Sequence, residues 1–343
     1  MESYLSNRSQ AIDINGTSSD KLKLDYGFPQ GSKIGPFGFK LYTKPLAAIA
    51  AKHGVHLHLY ADDTQLYVPF DPKNSKIAML RMEACIAEIK SWMAINYLKL
   101  NDDKTEFIMF GTPKALQSVS ECTVSVGDVE VKPSKTVRNI GAMMDSALTM
   151  KSHVNYVIKS CYAQLRNLSR IRKYLTEETA KSLIHAFVSS RLDMMNSILV
   201  NVPDNSLIKR LQLIQNHAAR IVKIEKKHAH ITPHLIDLHW LPIEYRIQFK
   251  ILLLVYKSMH GKGPAYLASM LEEYRPSRSL RSAGQSRLVE PRTYKKYGER
   301  AFSVAGPKLW NDLRDDIKFS ETVDSFKSRL KTHLFIKAYG VKK

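Results

Sequence analysis

The sequence predicts an α+β protein, with a front part built on short antiparallel strands and a mostly α-helical rear. Three observations predict it. Apolar residues alternate with a period of two in short runs up to about residue 144. From about Ser152 they recur at spacings of three and four, the helical period. Charge divides at the same place: residues 1–150 carry 17 Lys+Arg against 16 Asp+Glu, and residues 151–343 carry 35 against 16. Nearly all of the net charge of +20 therefore sits in the rear, the pattern of a surface that lies along a polyanion.

The elements follow in order. Ala11-Ile12-Asp13-Ile14 runs into Asn15-Gly16, a pair that accepts the positive φ of a tight hairpin, and Leu22 and Leu24 continue the alternation. Gly27-Phe28-Pro29-Gln30-Gly31-Ser32-Lys33-Ile34-Gly35-Pro36 is a loop punctuated by glycine and proline. It opens a helix over residues 37–53, in which Pro45 predicts a kink or a boundary. Such a loop lets backbone approach a nucleotide closely. Val55, Leu57 and Leu59 then alternate into Tyr60-Ala61-Asp62-Asp63, and Leu66 and Val68 alternate out, which reads as an acidic hairpin. Residues 77–95 read as a helix with core positions Ile77, Leu80 and Ala84, together with Met82, Ile86, Ile89 and Met93; Trp92 joins that core. A strand is expected over residues 107–110, a hairpin over 123–131 turning at Gly127-Asp128, and a single strand over 136–144. Helices are expected over 153–171, 177–192, 205–222 and 243–259. Thr176 caps the second of these, with Glu177 and Glu178 in its first turn. An amphipathic helical ending gathers Phe302, Leu309, Trp310, Phe326, Leu330 and Leu334.

Bulk properties exclude several classes. No apolar run approaches the roughly 18 to 20 residues of a membrane helix. The N-terminus has no basic-then-apolar signal, and Cys85, Cys122 and Cys161 stand far apart without a C-x-x-C pair, which suits a reducing compartment. An intracellular protein, nuclear or cytoplasmic and not secreted, is expected, with no membrane partner. His228, His230, His234 and His239 crowd one segment, but their spacing fits no zinc pattern, and structural or surface histidines are the expectation.

Two stretches carry candidate chemistry. Adjacent carboxylates at a hairpin tip repel each other unless a cation neutralises them, and hard oxygen ligands on a rigid turn suit Mg²⁺. Two such ions are the usual apparatus of nucleotidyl transfer. A bare Asp-Asp is nonetheless most often an acidic surface turn. The second stretch holds Arg275, Arg278, Arg281, Arg287, Arg292, Lys295, Lys296 and Arg300 against Glu290 and Glu299, with Tyr274, Tyr294 and Tyr297 interleaved. Cations for phosphates and rings for bases make it the best contiguous nucleic-acid candidate, against the alternative of a solvated linker.

Taken together, the ordered motifs resemble a reverse transcriptase of the non-LTR retrotransposon type, in the jockey and chicken-repeat group. Gly27-Phe28-Pro29-Gln30-Gly31-Ser32 with Gly35-Pro36 resembles motif B, so the resemblance implies that Pro29, Gln30, Gly31 and Ser32 contact template or nucleotide, with Tyr60 beside them. Tyr60-Ala61-Asp62-Asp63 resembles motif C, implying Asp62 and Asp63 as ligands of Mg²⁺. Leu98-Lys99-Leu100-Asn101 with Lys104-Thr105-Glu106 resembles motif D, whose lysine, here Lys104, would protonate the leaving pyrophosphate. Arg138-Asn139-Ile140-Gly141 with Asp145 resembles the stretch near the primer grip. His230-Ile231-Thr232-Pro233, Leu238-His239-Trp240-Leu241-Pro242 with Arg246, and Gly306-Pro307-Lys308-Leu309-Trp310-Asn311 are similar to the group's C-terminal region.

The resemblance implies RNA-directed DNA polymerisation on an RNA template and DNA primer, with a partial palm over 1–150, a helical thumb-like region over 151–270 and a basic C-terminal region over 271–343. It also exposes a gap. Ser3-Tyr4-Leu5-Ser6-Asn7-Arg8 resembles the stretch after motif A, so the motif A aspartate and the fingers are expected to be missing, leaving a palm sheet edge unpaired and the front marginally stable. Asp13, Asp20 and Asp25 are unconvincing substitutes. The chain alone is expected to be inactive; the alternatives are a catalytically dead nucleic-acid-binding remnant and a translated transposon relic.

Overall fold

A computed structural model describes residues 6–25, 27, 31–119, 122–275 and 286–340. The chain forms two compact units that divide between Ser134 and Lys135. The first unit is a mixture of short antiparallel pairs and helices. Strands β1 (Arg8–Gln10) and β4 (Leu22–Leu24) pair around an inner hairpin of β2 (Asp13–Ile14) and β3 (Thr17–Ser18). Asn15 and Gly16 turn it with φ of 52° and 83°, as expected of Asn-Gly. Helices α1 (Gly35–Tyr42) and α2 (Leu46–Lys52) are separate, because Pro45 has no N–H to continue the first and instead starts the second.

Hairpin β5 (His56–Tyr60) and β6 (Asp63–Tyr67) follows, then α3 (Ser75–Ile95), a short α4 (Pro113–Gln117), and the hairpin β7 (Val124–Val126) and β8 (Val129–Val131). Helix α3 buries Ala78, Met79, Met82, Cys85, Ile86 and Ile89 as one stripe. The expected second stripe is corrected: Ile77, Leu80 and Ala84 face solvent, since a helix of this unit has one core to meet rather than two. Residues 107–110 do not form the expected strand. They contribute one bridge, Phe107 to Pro133, because no neighbouring strand supplies a longer ladder among the described residues.

The second unit opens with a hairpin where one strand was expected. Strands β9 (Thr136–Asn139) and β10 (Ala142–Asp145) turn at Ile140-Gly141, with φ of 45° and 89°. Helices α5 (Lys151–Ile171), α6 (Glu177–Ile184), α7 (Ser190–Asp193), α8 (Asn205–Lys223), α9 (Thr232–Asp237), α10 (Ile243–Met259), α11 (Ala265–Ala268), α12 (Phe302–Asn311), α13 (Asp315–Lys318) and α14 (Val323–Tyr339) follow. A single π-helical turn, His185–Ser189, joins α6 to α7. Thr176 caps α6 as expected, its Oγ1 accepting from the Thr179 amide at 3.2 Å. One large core runs through this unit, with Trp310, Tyr256 and Phe326 at its centre. Tyr256 stacks on Phe326 with ring centroids 4.1 Å apart. Gly306 permits the crossing of α12 over α10, since a Cβ there would stand 2.9 Å from a Val255 methyl.

Candidate active site

The acidic hairpin is fixed at its base by α3. Arg81 donates from Nε to the His53 carbonyl (3.1 Å) and from a terminal nitrogen to the Gly54 carbonyl (2.6 Å), satisfying acceptors left free at the end of α2. Glu88 receives Lys52 Nζ at 2.8 Å and pairs with His53 Nε2 at 2.7 Å. Those two hydrogen bonds, with Lys52 first, hold the Glu88 carboxyl below its usual range. The chain therefore enters β5 from a pinned turn. Leu57, Leu59 and Leu66 turn one face of the hairpin onto the core of the first unit, where Val55 is buried.

Tyr60 pairs with Asp63, so Ala61 and Asp62 form a two-residue turn. Ala61 has φ of 53°, a left-handed conformation that costs a residue with a Cβ about 1 kcal/mol. Asp62 projects from this strained tip and Asp63 opens β6; both are exposed. The other face of the hairpin is aromatic. Tyr67 stacks against His56 (4.8 Å between centroids) and His58 (5.4 Å), and Tyr60 is 60 % exposed on the same face. His56, His58 and Tyr67 were missed in the sequence reading, although a period of two from Tyr60 back through His58 to His56 marks them.

The remaining site residues are distributed along the first unit. Gly31 adopts φ of 81°, open only to glycine without strain, and Ser32 Oγ accepts from the Gly35 amide at 2.9 Å at the start of α1. Pro29 and Gln30 lie outside the described residues. Lys104 is exposed at the end of a one-turn 3₁₀ helix, Asp102–Lys104, which Lys90 anchors to α3 through Asp102 at 2.5 Å.

In the second unit the basic segment divides. Arg278 and Arg281 lie outside the described residues. Arg287, Arg292, Lys295 and Lys296 are exposed around Tyr294, which is 100 % exposed. Arg275 pairs with Glu273 at 3.7 Å. Arg300 is corrected to an internal strut: its guanidinium donates to the carbonyls of Leu148 and Ile198, and burial lowers its pKa. The segment is anchored rather than loose, since Asn311 donates to the Leu288 carbonyl at 2.9 Å and accepts from the Leu288 amide at 2.9 Å. The crowded histidines do not converge on an ion: among the described residues no three His, Cys, Asp or Glu side chains stand together as a metal-holding group.

A strained hairpin tip bearing two adjacent exposed carboxylates, behind a glycine loop that opens a helix, is the arrangement of a nucleotide-polymerising protein. The reverse transcriptase (RNA-dependent DNA polymerase) family matches residues 1–156. The chain is 25% identical over 229 residues, 65% of its length, to the probable RNA-directed DNA polymerase from transposon BS of Drosophila melanogaster. It is 23% identical over 234 residues to that from the X-element of the same organism, again 65% of the chain. The chain spans about a quarter of the length of these curated relatives. No solved structure matches it. The chain is a segment of a reverse transcriptase of the non-LTR retrotransposon type.

The donors at the tip are of the right kind for Mg²⁺, which is commonly held by one or two carboxylates together with water and substrate phosphates. No third carboxylate completes the set among the described residues.

Proposed function

We propose that residues 1–134 supply part of a polymerase palm, carrying Asp62 and Asp63 as divalent-cation ligands, for RNA-directed DNA synthesis on an RNA template and DNA primer. The exposed carboxylate pair on the strained tip is the observation that carries this reading. Bound Mg²⁺ would lower the pKa of a primer hydroxyl and neutralise charge on the reacting phosphate. The chain's own residues do the rest. Gly31 and Ser32, with Pro29 and Gln30, shape a backbone cradle for the nucleotide; Tyr60 and the stacked His58 and Tyr67 present ring faces to bases; Lys104 donates a proton to departing pyrophosphate. The helical second unit acts as the thumb-like region, and Arg287, Arg292, Lys295 and Lys296 bind phosphates.

With two carboxylates and no third, the 343-residue chain by itself is inactive as a polymerase. Mn²⁺ binding followed by electron paramagnetic resonance is expected to be weak in the wild type and absent in Asp62→Asn/Asp63→Asn; equal binding by both would remove the metal role. Primer extension with Mg²⁺ or Mn²⁺ is expected to give no product above the Asp62→Ala background. Template-dependent synthesis abolished by Asp62→Ala would overturn the inactivity.

A second reading, a nucleic-acid-binding remnant, draws on the charge of the second unit, 37 Lys+Arg against 17 Asp+Glu, where the first unit has 15 of each. It predicts binding to RNA that weakens steeply with salt and survives Asp62→Ala.

A further inference from the structure

The second unit contains a cavity of about 300 Å³ lined by Lys181, His185, His239, Trp240, Arg246 and Lys331, with Leu238 and Leu241. Its walls come from α6 and the π turn, the segment after α9, the start of α10, and α14. Five of these side chains are cationic or can become so. The acid beside them, Asp193, is already engaged: Arg246 donates to it from Nε at 2.8 Å and from a terminal nitrogen. Asp237 nearby in sequence pairs with Lys223 at 2.5 Å. Burial, then Arg246, Lys181 and Lys331, push the His185 pKa down, so the field at this ring is positive in spite of Asp193.

Two further observations point to a ligand. Trp240 is 4% exposed, and its Nε1–H, a donor that normally finds a partner when buried, has none among the described residues. The backbone beside it is strained to place an imidazole. Helix α9 ends in a Schellman pair, with the His239 amide donating to Ile236 (3.0 Å) and the Trp240 amide to Leu235 (2.9 Å). The left-handed position of that motif is usually glycine; here it is His239, with φ of 54°. Its ring is exposed at the cavity and stacks on Phe335, with centroids 5.8 Å apart.

We propose that this cavity is a phosphate-binding site, in which Lys181, Lys331 and His239 meet a phosphoryl group and the Trp240 indole donates to one of its oxygens. The ligand is an inorganic phosphate or a terminal phosphate on a polynucleotide, the two sources sharing this chemistry. The site is separate from the carboxylate pair and does not depend on the polymerase reading.

Calorimetric titration of the full chain with inorganic phosphate, at ionic strength held constant with chloride, tests it. Saturable binding is expected, weakened at least tenfold in Lys181→Gln/Lys331→Gln and little changed in Lys209→Gln/Lys262→Gln, exposed lysines outside the cavity. No saturable heat in the wild type, or equal losses in the two double variants, would overturn the proposal. His239→Gly separates binding from folding: it is expected to raise the unfolding midpoint, by relieving the left-handed strain, while weakening phosphate binding severalfold. A variant that binds phosphate as tightly as the wild type would remove His239 from the site. Oligonucleotides with a 5′-phosphate and with a 5′-hydroxyl then distinguish the sources. A preference for the phosphorylated end that disappears in Lys181→Gln/Lys331→Gln identifies a polynucleotide terminus, and equal binding of the two identifies the free anion.

Discussion

Among the largest fully buried side chains, Leu46 belongs to the first unit, while Trp310, Tyr256, Phe326, Met150, Ile184, Leu207 and Ile214 belong to the second. The first unit buries one stripe of α3 and one face of the acidic hairpin, and leaves Ile12, Ile14, Leu22, Ile77 and Leu80 more than half exposed. Its strands pair only in twos among the described residues, so each hairpin keeps open edges. The second unit closes a continuous core and carries the whole net charge. The difference separates two demands on the chain. Exposed carboxylates at a strained tip need a scaffold that leaves one face bare, whereas a cationic surface can be spread over helices whose other faces are fully packed.

The largest expected effect is in the second core. Trp310→Ala removes a fully buried ring and the indole donor to the Ser286 carbonyl at 2.8 Å, and should cost about 3 to 5 kcal/mol in urea unfolding followed by circular dichroism. Ile89→Ala in the first unit should cost about 2 to 4 kcal/mol. A larger loss there than at Trp310 would break the ranking of the two cores.

Next comes Arg172, whose guanidinium donates to the carbonyls of Ile221 (2.8 Å), Val222 (2.7 Å) and Leu175 (2.6 Å), ending α8. Arg172→Ala leaves those acceptors without a donor and should cost about 2 to 3 kcal/mol in the same assay. A change below about 0.5 kcal/mol would show that water replaces the guanidinium without penalty.

The smallest effect is a difference in acid sensitivity. His153, His185, His217 and His333 all lie in the second unit, and burial depresses each pKa below the ordinary value of 6.5. The unfolded chain takes up these protons first. The stabilisation is therefore complete above 6.5 and is lost as pH falls through the folded values. In the first unit the depressed group is Glu88, whose contribution disappears only lower, as pH falls below the ordinary carboxylate value of 4.5. Hydrogen exchange corrected for intrinsic rates should show the second unit softening between about pH 6.5 and 5 while the first holds. Parallel softening of both units would sink the distinction.

Local patterns were legible where one interaction sets the outcome. Asn15-Gly16, Pro45 and Thr176 each act through a single backbone requirement, and each acts where the sequence placed it. The acidic hairpin was legible for the same reason: alternation fixes the face and the turn fixes the tip. Features needing a distant partner were not. Ile77 and Leu80 have perfect helical spacing but no second core to meet, and residues 107–110 have strand composition but no ladder. Arg300 reads as a free cation until the carbonyls of Leu148 and Ile198 come to meet it. His239 looked like one member of a histidine cluster; its left-handed backbone, invisible in composition, gives it a different place.

The π turn at His185–Ser189 bears on how the chain tolerates insertion and deletion. Such a turn accommodates one residue more than an α-helix would use over the same rise, as a single-codon insertion would leave behind. Removing one residue there would regularise the helix and turn everything after it by about 100°. Asp193 would swing away from Arg246, and that guanidinium would face the cavity unneutralised. A one-residue deletion near Ala186 is thus a way to raise the cavity's positive charge without changing any of its lining side chains.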